Sequence, residues 1–162
     1  MIHLIVGNTG AGKTTYANNL QKSKGGIVFS LDTWSKTLFY PDQPDPINFE
    51  WIMERIERSE SMIFKLVLQL EEQGVDSILD LGLSKISHRK KILDFAHDNG
   101  VEANIHFLDI SKGVRRKRID NRNVEQGETF EFEVSDSDFE FMETWFEPLT
   151  PQELKMAVVV KS

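Results

Sequence analysis

A short, mostly apolar run over residues 2–6 stops at a glycine-rich turn and predicts a buried strand. Residues 13–21 predict a helix that closes near Gly25-Gly26. Ile27-Val28-Phe29 predicts a second strand, and Ser30-Leu31-Asp32 leads into a short helix reaching about Phe39. Residues 40–48 hold three prolines and predict a loop. From Phe49 onward, Ile52, Met53, Ile56, Ile63, Leu66, Val67 and Leu70 recur at helical spacing, so a long helix is expected to about Gln73 with its apolar stripe in the core. Residues 77–79 predict a third strand ending at Asp80.

Residues 86–97 predict a helix stopped by Asn99-Gly100, residues 102–108 a strand, and residues 112–122 a basic helix. Residues 123–137 are polar apart from Val124, Phe130, Phe132 and Val134, and are expected to form a lid-like or mobile segment, the lid as a whole spanning about 118–137. Ordinary core packing is the simpler expectation for Phe130 and Phe132, with closing a lid or stacking on a base as the alternative. A short helix is expected over 138–146, a proline-bearing loop over 147–152 and a final buried strand over 156–160. Strands alternating with helices predict an α/β fold, a parallel sheet with helices on both faces. No internal repeat or linker divides the chain, so residues 1–162 are expected to form a single domain.

Composition fits that picture: 162 residues with 40% hydrophobic and 28% charged positions exclude a disordered tail, a collagen-like fibre and an array of large domains. With no cysteine, a disulfide framework, a thiolate zinc site and a cysteine nucleophile are all excluded. The start carries no basic leader, and no apolar run approaches the roughly 20 residues a bilayer requires. A cytoplasmic protein without membrane attachment is expected.

The formal charge of -7 argues against non-specific coating of nucleic acid, and its distribution is uneven. Residues 123–154 hold ten acids and no Lys or Arg, while the remainder is formally +3. Just upstream stand Arg115, Arg116, Lys117, Arg118 and Arg122, and earlier Lys85, Arg89, Lys90 and Lys91. A mildly basic body suits phosphate binding, and the acidic stretch is where acceptor selection or a partner is expected.

Gly7-Asn8-Thr9-Gly10-Ala11-Gly12-Lys13-Thr14 matches G-x-x-x-x-G-K-[ST] between a predicted strand and a predicted helix. Glycines let successive N–H groups turn inward, and the helix N-terminus adds partial positive charge, so the loop cradles phosphate oxygens. Lys13 is expected to bridge the β- and γ-phosphates of ATP, Thr14 to ligate Mg2+, and Thr15 to add a donor. No guanine-reading Asn-Lys-x-Asp occurs, and the chain is short for a large ATPase core.

Asp32 and Asp80 follow the next two strands, at the sheet edge where α/β proteins bind ligands. Asp32 is expected to accept the proton of a hydroxyl in line with the γ-phosphate, or else to cap the helix that follows. Asp80 is expected to orient magnesium-bound water or the acceptor, or else to start the turn before Gly82. Arg118 and Arg122 share a helix face and are expected to stabilise charge on the transferred group. Arg115, Arg116 and Lys117 are expected at a solvated surface, and His3, His88, His97 and His106 show no metal-ligand spacing.

The series of Gly7 to Thr15, Ser30-Leu31-Asp32, Ile78-Leu79-Asp80, and Arg118 with Arg122 ahead of a lid resembles the polynucleotide-kinase-like and zeta-toxin-like group of small P-loop kinases. The resemblance extends to Phe146-Glu147-Pro148-Leu149-Thr150-Pro151 near the end. It implies a three-layer P-loop NTPase fold with five parallel strands in the order 2-3-1-4-5. It also implies a general base at Asp32, an active-site aspartate at Asp80, and nucleotide-phosphate contacts from Arg118 and Arg122. End kinases of this kind place an arginine three residues after the base, where Ser35 stands here, followed by Lys36. A small hydroxyl-bearing acceptor is therefore favoured over a nucleic-acid end.

The expectation is an ATP-dependent kinase that uses ATP and Mg2+ to phosphorylate a hydroxyl of a small molecule. The competing expectations are a polynucleotide end kinase or zeta-toxin-like sugar-nucleotide kinase, and a nucleotide-binding switch that hydrolyses ATP slowly.

Overall fold

The computed structural model describes residues 1–126 and 133–161. Its strands are β1 (Ile2–Val6), β2 (Ile27–Ser30), β3 (Ser77–Asp80), β4 (Ala103–Asp109) and β5 (Ala157–Lys161). They form one sheet in the order β2-β3-β1-β4-β5, every neighbouring pair parallel. The order implied by the resemblance is therefore the observed one. Around the sheet lie α1 (Lys13–Lys24), α2 (Leu31–Leu38), α3 (Phe49–Glu72), α4 (Ile86–Asp98), α5 (Lys112–Glu125), α6 (Asp136–Trp145) and α7 (Pro151–Met156). Among the described residues no helix is long and apolar enough to cross a membrane.

Alternation along β1 divides the core into two layers. Ile2, Leu4 and Val6 join Ile63 and Val67 of α3 and Ile92 and Ala96 of α4, whereas Ile5 joins Ala17 and Leu20 of α1. Ile2, Leu4, Ile5 and Val6 are fully buried, each worth roughly 1.5–3 kcal/mol. The central strand is thereby fixed, and the loop that follows it starts from a rigid support. The long helix begins where Asn48 caps it, its side-chain oxygen accepting from the Glu50 amide at 2.8 Å.

Toward the end of the chain the structure corrects several expectations. Helix α5 continues past Arg122 to Glu125, so the first part of the expected lid is helical. Residues 127–132, with Phe130 and Phe132, lie outside the described residues. Helix α6 starts at Asp136 because Ser135 and Asp138 form a capping box. The expected loop over 147–152 holds through Thr150 and ends two residues early, where Thr150 and Glu153 open α7 with a second capping box and Pro151 at its start. Strand β5 lies at the sheet edge with Val158 and Val159 exposed, so it is not the buried strand expected from its apolar run.

Candidate active site

The carboxyl ends of β1, β3 and β2 meet at one edge of the sheet, where a cleft of about 1000 Å³ opens. Residues 7–12 join β1 to α1 there. Gly10 has φ +80, and a Cβ at that position would lie 2.7 Å from the Arg115 carbonyl oxygen and 2.9 Å from Ile119 Cδ1. Gly12, the residue before α1, has φ +89, and no side chain caps the helix. The N-terminus of α1 thus opens onto the cleft with first-turn amides that lack intrahelical acceptors. Thr9, Gly10, Gly12, Lys13, Thr14 and Thr15 line it, whereas Gly7 and Ala11 are buried behind the loop.

Asp80, the last residue of β3, is 7% exposed and accepts a hydrogen bond from Thr14 Oγ1 at 2.8 Å. A hydroxyl and a carboxylate oxygen side by side are the hard donors that Mg2+ takes together with phosphate and water oxygens. Among the described residues no cluster of three His, Cys, Asp or Glu side chains could hold a metal alone. The pair therefore fits an ion shared with a bound phosphate group.

Ser30 ends β2 directly opposite Asp80, and its Oγ accepts from the Thr33 amide at 3.3 Å. The cap of α2 is therefore Ser30. Asp32 stands in the first turn of that helix and lines the cleft. Burial draws the Lys13 ammonium below its usual pKa, while Asp80 and Asp32 push it back up. Lysine and both carboxylates share one electrostatic neighbourhood.

Helix α5 supplies the opposite wall. Arg118 Nη1 donates to the Ala11 carbonyl at 3.0 Å, and both Arg118 and Arg122 line the cleft. Arg122 Nε is buried without a hydrogen-bond partner among the described residues. Burial lowers the Arg122 pKa against the opposing pull of Asp32. A buried donor without a partner, on a side chain that lines the cleft, lacks the acceptor that a bound anionic oxygen supplies.

Arg115 is not at the expected solvated surface: it is 6% exposed and lies behind the loop. It donates to the carbonyls of Ile110 at 2.9 Å and Thr9 at 3.1 Å, and grips both oxygens of Glu143 at 2.6 and 3.0 Å. Glu143 also accepts from Asn8 Nδ2 at 2.7 Å, and Asn8 Oδ1 accepts from the Thr9 amide at 2.7 Å. The Asn8 side chain therefore braces the loop from behind. Sequence spacing carried a signal for Arg115, since Ile119 and Arg122 follow it at i+4 and i+7 on one helix face. Nothing local pointed to Glu143, on another helix.

This geometry defines a P-loop domain with the kinase-type strand order. Residues 2–149 match the AAA domain family AAA_33, and the chain belongs to that family. Its fold resembles a putative kinase from Chloroflexus aurantiacus, with TM-score 0.70, 17% identity, and 99% of this chain and 84% of that one covered. Kti12 of Chaetomium thermophilum, solved with ADP-AlF3, aligns with TM-score 0.69, 14% identity and coverage of 99% and 89%. A sugar kinase from Janibacter sp. aligns with TM-score 0.63, 17% identity and coverage of 99% and 84%. No curated protein sequence matches the chain. At these identities the likeness establishes the fold.

Proposed function

We propose that this protein is an ATP-dependent kinase that phosphorylates a hydroxyl group of a small molecule. The observation that carries the reading is the convergence of Lys13, Thr14, Asp32, Asp80, Arg118 and Arg122 on one cleft. The loop amides and Lys13 would hold the β- and γ-phosphates, with Thr14 and Asp80 holding Mg2+, which supplies charge neutralisation on those phosphates. Asp32 takes the proton of the acceptor hydroxyl as its oxygen forms a bond to the γ-phosphorus. The bond from that phosphorus to the bridging oxygen breaks, and ADP leaves with the electron pair. Arg118 and Arg122 face the transferred group and stabilise its charge.

The test is transfer of label from γ-labelled ATP to a panel of nucleosides, sugars, amino sugars and oligonucleotides. Lys13→Ala is expected to abolish turnover. Asp32→Asn is expected to retain ATP binding and lower transfer by 10²-fold or more, the order typical of a lost general base. Full transfer by Asp32→Asn would remove the base assignment. Slow release of inorganic phosphate that no acceptor alters would replace the kinase with a nucleotide-hydrolysing switch.

A further inference from the structure

Beside the phosphate cleft lies a second groove of about 1140 Å³, walled by the first half of α3 and by the turn leading into α4. Gly82 and Ser84 line both spaces, and Leu31 of the groove is the chain neighbour of Asp32 of the cleft. The groove therefore meets the cleft beside the proposed base.

The basic side chains of this groove already lie against carboxylates. His88 and Lys91 both bond to Glu60, the lysine at 2.7 Å, and Glu60 is 3% exposed. Burial alone would raise the Glu60 carboxyl, but the hydrogen bonds from His88 and Lys91 outweigh it and hold it below its usual range. Lys85 stands 3.4 Å from Glu147. On the opposite wall Glu50, Glu54 and Glu57 follow one another at i, i+4 and i+7 along α3, and all three line the groove. Glu54 pairs with Arg55 and Arg58, whereas Glu50 and Glu57 form no ion pair among the described residues.

Trp51 and Trp145 line the same space, and each already holds a cation against its ring. The Arg55 guanidinium is 3.8 Å from the Trp51 centroid, and Lys85 Nζ is 3.9 Å from that of Trp145. Such faces attract positive groups. Ser84, Ser87 and Asn48 add neutral donors and acceptors that suit hydroxyls. A phosphate or carboxylate entering here would meet unpaired carboxylates and cations already neutralised, which is repulsion at the point of selection.

We infer that this groove is the acceptor subsite and that it takes a polyhydroxylated amine, with one hydroxyl toward Asp32 and the ammonium facing Glu50 and Glu57. The inference rests on the phosphotransfer reading, which it deepens by naming the acceptor class.

Two of the chain's three tryptophans line the groove, so intrinsic fluorescence reads its occupancy without any turnover. The probes are the glucosamine trisaccharide, its tri-N-acetyl form, glucose 6-phosphate and spermidine. The glucosamine trisaccharide is expected to shift the emission and to bind at least about tenfold more tightly than each of the others. Glu57→Gln is expected to weaken that binding about fivefold and leave the acetylated form unaffected. A smaller preference over any of the three comparison probes, or no response to the trisaccharide up to about 10 mM, overturns the inference. Label transfer is measured in parallel. Tight amine binding with no phosphorylated product would remove the kinase reading and keep the groove, while phosphorylation of an anionic acceptor would do the reverse.

Discussion

Arg115 and Glu143 hold the phosphate loop from behind, through the Thr9 carbonyl on one side and the Asn8 carboxamide on the other. The hydrogen bond from Arg115 keeps the Glu143 carboxyl below its usual range against its partial burial. Their side chains are 7% and 19% exposed, so removing one leaves the other charged and poorly solvated, at a cost of about 3 kcal/mol. Glu143→Ala is expected to lower unfolding free energy by about 2–3 kcal/mol and to weaken ATP binding at least about tenfold, because the loop loses its fixed position. Glu143→Gln keeps an acceptor for Asn8 and is expected to fall between the two. Chemical denaturation and nucleotide titration of the three proteins check this. The loop was legible in the sequence because its conformation is dictated by adjacent residues. For Arg115 the sequence held only its helix face, shared with Ile119 and Arg122, and nothing that tells which of the neighbouring cations is buried.

Among the elements, α4 carries the connection on which the C-terminal part depends. Arg89 is fully buried and donates to the Glu153 carboxylate at 2.6 and 3.2 Å and to the carbonyls of Leu83, Glu147 and Pro148. Glu147 in turn accepts from the Ile86 amide at 2.8 Å and so caps α4. Residues 147–153 are thereby fastened to the helix that walls the groove beside the phosphate cleft. Arg89→Met is expected to cost about 3–5 kcal/mol, and adding Glu153→Met to restore part of it, because the second change removes the stranded charge. Urea denaturation of the single and double variants decides. Periodicity revealed the long helix and the first four strands, whose apolar spacing states which faces are covered. For β5 the apolar run could not say that it lies at an edge. Thr150, Pro151 and Glu153 carry the signal of α7, a capping box with proline at the helix start, where proline taken alone favours a loop.

At the scale of the molecule, the charge blocks of the sequence cancel in space. Arg115 meets Glu143, Lys112 meets Glu140, Arg116 meets Asp136, Lys85 meets Glu147 and Arg89 meets Glu153. The acidic stretch thus neutralises cations of α4 and α5, whereas Arg118 and Arg122 form no ion pair among the described residues. Across the sheet runs a different polar network: Tyr16 Oη lies 2.9 Å from His106 Nδ1, His106 Nε2 3.0 Å from His3 Nδ1, and His3 Nε2 3.1 Å from Asp76. Whenever both rings are neutral, the carboxylate at its end, which only accepts, sets the direction of every bond from Tyr16 toward Asp76.

Burial, reinforced by His3 and Lys24, lowers His106 from 6.5 to about 4. Between those values the unfolded chain binds a proton that the folded one refuses, so stability falls as pH drops from 6.5 to about 4. The hydrogen bond from His3 holds the Asp76 carboxyl below its usual range, so its contribution is lost at still lower pH. His106→Gln is expected to flatten the upper limb of this acid loss, by no more than about 2 kcal/mol after solvent screening, as read from urea midpoints across pH.

The pairing of α5 with α6 also bears on how the chain finds its fold. Arg116 and Asp136 are 20 residues apart, and Lys112 and Glu140 are 28 apart, while Arg89 and Glu153 are separated by 64. Closing the shorter loops costs less chain entropy, so opposite charges can draw the two helices together before the wider sheet is assembled. The wall behind the phosphate loop is in that sense a local folding unit, able to form ahead of the Arg89 clasp that secures the chain's far end.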